Sequence, residues 1–172
     1  MSPFTLKVTL PPGINAISKL PALIQANVFQ ALKQGMMVAE QISQTKYLTG
    51  PRPEKLGVVT GLLRSSVKSG AYLGGDPGTF ATGVLSANTE YARIHEYGGT
   101  TRPHRIEAKN VRNLKFFWKK KGIWFLGPRV NHPGSVIPAR PYLMPAMKET
   151  ARPGGIIDMM IRKAIDNAFK ES

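Results

Sequence analysis

The sequence predicts an α+β fold: a mostly antiparallel sheet with one long N-terminal-half helix packed on it, a projecting basic hairpin and a C-terminal helix. Three observations carry this expectation. Apolar residues alternate with a period of two near the N-terminus, then recur at three- and four-residue steps, and do so again near the C-terminus. Two aromatic runs at 114–118 and 123–126 are joined by Lys119-Lys120-Lys121-Gly122, the spacing of a hairpin with a glycine-containing loop. Finally, 172 residues with 42% hydrophobic and 20% charged content bury a core and exclude wholesale disorder. A single domain over 1–172 is expected, with the hairpin at 112–128 projecting from it and the last helix at 156–170.

Taken in order, Phe4, Leu6, Val8 and Leu10 alternate with Thr5, Lys7 and Thr9 until Pro11-Pro12-Gly13 stops the run, which reads as a half-buried strand. A helix is expected next, over about 17–45. Leu20, Ile24, Ala31, Leu32, Val38 and Ile42 form its stripe, and Pro21 sets the start of its regular part. Gly35 inside it costs about 1 kcal/mol relative to alanine. Residues 48–53 make a Gly/Pro loop, and 58–67 a short helical turn capped near Thr60 that leads into a strand. Ala71–Leu73 and Ala81–Leu85 read as two strands around a glycine-rich loop. After the hairpin, a helix is expected to start near Pro145 and to break at Arg152-Pro153-Gly154-Gly155. The last helix carries the stripe Ile157, Ile161, Ala164, Ile165 and Ala168, which, like the face of the first helix, is expected to pack on the sheet.

Charge is concentrated rather than spread. Between 100 and 140, ten lysines and arginines face the single acid Glu107, so this segment supplies nine of the chain's fourteen net positive charges. A local field of that sign suits a polyanion or an acidic partner. The same segment is apolar on both strand faces, with Leu114, Phe116 and Trp118 on one and Phe117 on the other. A ribbon of that kind needs cover on both sides, in part from the domain's own helix and in part from another subunit.

No constellation for catalysis stands out. The chain has no cysteine, which removes disulfides, thiolate metal sites and cysteine nucleophiles and fits a reducing compartment or an assembly that needs no staples. His95-Glu96 lacks the second histidine of a zinc-protease helix, because position 99 is glycine. His104 and His132 read as members of proline-adjacent loops. The glycines at 50–57 and 74–78 fit neither a phosphate loop nor a dinucleotide fold. No catalytic residue, metal or cofactor is therefore expected. No apolar run reaches the length of a membrane span and the N-terminus alternates, so a soluble product made in the cytoplasm and free of membrane is expected.

Ile137-Pro138-Ala139-Arg140-Pro141 is a stiff connector that holds Arg140 between two prolines. An arginine fixed so is suited to a bidentate contact with a carboxylate, Glu96 being one candidate, or with a phosphate.

The ordered set Thr60–Val67, Tyr91–Gly99, the basic aromatic hairpin, His132-Pro133-Gly134 and Ile137–Leu143 resembles a family of tailed-phage proteins. These are tail-completion, head–tail joining or virion-morphogenesis (minor tail) proteins, and the resemblance runs from about Leu20 to Met147. It implies a small α+β subunit that forms a ring, commonly a hexamer, at the head–tail junction of the virion, after assembly in the host cytoplasm. Its implied partners are copies of itself, neighbouring head-completion, tail-terminator and tail-tube proteins, and genomic DNA in the lumen. On that reading Tyr91, His95, Glu96, Arg140, Pro141, Phe116, Trp118 and Trp124 make assembly contacts. Lys119, Lys120, Lys121, Arg112 and Lys115 then face DNA or an acidic neighbour. The alternative is a free-standing basic nucleic-acid-binding protein, since aromatics among lysines on a two-stranded ribbon also serve that purpose.

Overall fold

In a computed structural model, residues 4–9, 22–51, 55–74, 81–119 and 121–170 are described. The fold is α+β, with antiparallel strands in small sheets. The chain forms two compact units, 98–138 and the remainder.

The larger unit is built on a three-stranded sheet of β1 (Phe4–Thr9), β2 (Val67–Leu73) and β3 (Ala81–Ala87), with β3 in the centre. Both pairings are antiparallel, and Leu6 and Ser69 each face Leu85. Across the sheet lies α1 (Ala22–Ile42), which begins directly after Pro21 and ends in a π-helical turn, Ser43–Tyr47. The expected Pro21 and Leu20 themselves lie outside the described residues. The short α2 (Leu62–Ser66) leads into β2, and Thr60 Oγ1 accepts the Leu62 N–H, as the capping signal near Thr60 implied. Behind it come α3 (Ala92–Tyr97), α4 (Leu143–Ala151) and α5 (Ile156–Lys170).

One packing expectation is corrected. The α5 stripe packs mainly on α1 and not on the sheet, so α1 is the middle layer of sheet, helix and helix. Two glycines show how α1 serves both neighbours. A Cβ on Gly83 would sit 2.7 Å from Met36 Sδ, so β3 and α1 touch backbone to side chain there. A Cβ on Gly35 would sit 2.7 Å from Ile157 Cγ1, so the residue that weakens α1 in isolation is the seat of α5. Val28, Leu32, Met36 and Ala39 are buried from end to end of this helix, as a middle layer requires.

The open edge of β2 is partly closed by α1. Gln44 Nε2 donates to the Val67 carbonyl at 3.2 Å, and Glu40 Oε2 accepts from the Ser69 N–H at 2.7 Å and its hydroxyl at 2.8 Å. These groups point away from β3, where an uncovered edge would template pairing with another chain.

The smaller unit is an antiparallel arm of nested pairs: β4 (Gly99–Thr100) with β9 (Val136–Ile137), β5 (His104–Glu107) with β8 (Arg129–His132), and β6 (Leu114–Trp118) with β7 (Ile123–Gly127). At its tip the Trp118 carbonyl accepts from the N–H groups of Lys121 and Gly122, and Gly122 takes the left-handed conformation (φ 68°) that the turn requires. The hairpin is as the sequence implied. The segments around it are not loops: His104 and His132 are cross-strand partners on β5 and β8, with stacked rings 5.0 Å apart. They are 28 positions apart, and their register does not continue that of the hairpin, since 108–113 on one side faces only Pro128 on the other.

Candidate assembly interface

The sequence motifs fall into two groups, one in each unit. In the larger unit, Tyr91, His95, Glu96, Arg140 and Pro141 gather where the chain leaves at 97 and returns at 139. The His95 carbonyl accepts the Arg140 N–H at 2.8 Å, and the Tyr91 and His95 rings meet edge to face at 5.7 Å.

Glu96 is the centre of this clamp, and its role was not legible. It is 2% exposed, and its carboxylate accepts from the backbone N–H groups of Tyr142 (2.8 Å), Leu143 (3.0 Å) and Met144 (2.8 Å). A helix leaves its first four N–H groups without intrahelical partners. Here Pro145, in the first turn of α4, has no N–H to satisfy, so one carboxylate and one proline complete the account. The helix accordingly starts at Leu143, two residues before the expected Pro145. Negative charge at a helix N-terminus also complements the peptide dipoles. A signal did exist in the sequence: Tyr142 at the N-cap has no acceptor to reach inward, so a helix there had to borrow one from elsewhere. Tyr142 is itself buried, with its hydroxyl 3.4 Å from the Ala92 carbonyl. Burial, helped by the Glu96 carboxylate and Tyr91, pushes its phenol well above the ordinary range, so it stays neutral.

The second group, Phe116, Trp118, Trp124 and the lysines, lies in the arm. Leu114, Phe116, Trp118 and Phe125 are half-buried on one face of the hairpin, against one another. On the opposite face Phe117 meets Trp124 edge to face, and Trp124 and Leu126 are 66% and 69% exposed. No described residue of 98–138 is buried. The hairpin's better-covered face continues into a groove of about 530 Å³ lined by Ile106, Leu114, Phe116, Trp118, Val130 and His132, among others.

The arm holds nine lysines and arginines against one acid. That acid, Glu107, is already paired with Arg105 at 2.8 Å. Lys121 sits 4.5 Å from the Trp118 ring centre and Lys115 5.7 Å from that of Trp124. Arg112 and Lys119 are exposed and have no ion pair among the described residues, and Lys120 lies outside them.

Among the described residues no three metal-ligating side chains cluster, and no helix is long and apolar enough to cross a membrane. No protein-family model matches the chain, no curated protein matches it, and no solved structure matches it.

Proposed function

We propose that this chain is a structural subunit of a tailed double-stranded DNA phage, which forms a ring of its own copies at the head–tail junction and joins heads to tails. The observation that carries this reading is the arm: a basic ribbon, apolar on both faces, with no buried residue among those described. A two-stranded ribbon is marginal alone in water, and its exposed apolar side chains suit a surface covered by something else. The clamp supports it too, because within the larger unit Glu96 ties the segment that precedes 98–138 to the one that follows it. A rigid subunit with one cohesive extension is what a head-to-tail ring needs, since each copy offers a different surface to each neighbour. The ordered motifs resemble those of tail-completion and head–tail joining proteins, and that resemblance supports a place at the head–tail junction.

Two measurements test it. Native mass at two concentrations is expected to show a closed oligomer that grows in with concentration, and a strict monomer throughout counts against the ring. Changing Lys119, Lys120 and Lys121 to Glu is expected to leave the subunit folded, because exposed tip charges contribute little to stability. Joining of heads to tails should fall with it, and normal infectious titre from that variant would overturn the joining role.

A further inference from the structure

We propose that the groove of the arm binds an acidic segment of a partner protein carrying apolar anchors, and not a nucleic acid. The proposal rests on the arm being a joining surface, and it names the chemistry of what is joined.

The first argument is the groove wall. Ile106, Leu114 and Val130 are aliphatic, and a cavity of about 530 Å³ with such a lining takes several apolar side chains. A duplex presents phosphates and sugars to a ribbon and would leave that wall unfilled. The second is the state of the rings. Phe116 lies 5.2 Å from Phe125 and 6.2 Å from Trp118, and Trp118 meets Phe125 edge to face at 6.3 Å. Lys121 covers Trp118 besides. Single strands are held by bases stacking on open aromatic faces, whereas Phe116 and Trp118 in the groove are engaged with each other and with Phe125.

The third argument is polarity at the rim. Gly134 donates its N–H to His132 Nδ1 at 3.1 Å, so this polar atom at the groove wall is already satisfied. Lys119 lines the groove too, and the arm's one carboxylate is engaged by Arg105. An apolar wall, Lys119 beside it and the surplus of cations in the arm, with no free acid, together complement an amphipathic acidic segment.

Both tryptophans of the chain, Trp118 and Trp124, lie in the arm and all five tyrosines lie outside it, so selectively excited tryptophan fluorescence of the full-length protein reports on the arm. The probes are a short peptide of alternating Glu and Leu, the same peptide with Ser for Leu, and oligothymidylate and duplex DNA of matched charge. The Glu/Leu peptide should bind about tenfold or more tightly than the Glu/Ser peptide and than either DNA. Ile106→Ser, at a partly exposed position, should erase most of the Leu-dependent gain and leave Glu/Ser binding unchanged. Equal affinity for the two peptides overturns the proposal, as does tighter binding of either DNA or the absence of a response to both peptides. Failure of the proposed function is separate: it appears as a chain that never assembles, whatever the arm binds.

Discussion

The two units solve opposite problems with similar residues. In the larger one, Leu32, Met36, Leu85 and Leu143 are almost wholly removed from water by a helix held between a sheet and a second helix. In the arm, Leu126, Trp124 and Phe117 are just as apolar and remain exposed. The difference is one of layers. The two-stranded sheets of the arm have no buried residue among those described, whereas β3 is the central strand of a sheet covered by α1. Hydrophobicity along a chain therefore marks where burial is needed, and topology decides whether the chain itself supplies it.

The largest effect should come from removing one side of this contrast. Replacing 99–137 by a short glycine–serine linker is expected to abolish oligomer formation while the remainder unfolds at an unchanged denaturant midpoint. A collapse in that midpoint would show that the arm contributes to the core after all. The same Leu→Ala change in each unit sharpens the point. Leu32→Ala should cost about 2–5 kcal/mol in urea unfolding, and Leu126→Ala under about 0.5 kcal/mol while weakening assembly. Between these lies the clamp. Glu96→Ala leaves three amides at the buried helix start without acceptors and should cost about 2–3 kcal/mol, measured the same way, with Glu96→Gln milder.

The smallest effect concerns a surface contact of the larger unit. Glu149 accepts from Lys46 Nζ and from the Tyr47 hydroxyl, which together hold its carboxyl below the ordinary range. Its folded-state pKa is depressed, so its contribution is present above the unfolded pKa and is lost as pH falls through the lower folded one. Lys46, held above its ordinary range chiefly by Glu149, loses its share only at strongly alkaline pH. The difference in urea midpoint between the protein and Glu149→Gln should therefore be flat near neutrality and shrink on acidification. A difference that grew with acid would contradict the ion pair.

Elements with a strong internal period were legible: α1, the β6–β7 hairpin and α5 lie where alternation or helical stripes put them. Periodicity does not encode the neighbour. The stripe of α5 specifies an apolar surface, but only Gly35, a residue that reads locally as a defect, reveals that the surface is α1. The β5–β8 pair was hidden for a related reason. Short basic strands carry no period of their own, and their register is offset by five positions from that of the hairpin inside them, because 108–113 on one side faces only Pro128 on the other. In the candidate site, the aromatic and cationic residues were visible by composition. The function of Glu96 was invisible because its partners are backbone amides 46 to 48 positions away, which have no sequence identity at all.

The clamp also sets an order of events during folding. Glu96 can cap α4 only after the intervening chain has closed a long loop, and closing a flexible loop costs entropy that rises by about 0.6 kcal/mol for each doubling of its length. The arm offers an easier route. Zipping from the tight turn at Trp118–Gly122 through Leu114↔Gly127 and His104↔His132 to Gly99↔Ile137 brings positions 97 and 139 together in small steps, each closing only a short further span. The ribbon is thus expected to act as a kinetic template for the helix it precedes. An arm of equal length scrambled into a flexible coil would slow the docking of α4 without removing a single contact from the native larger unit.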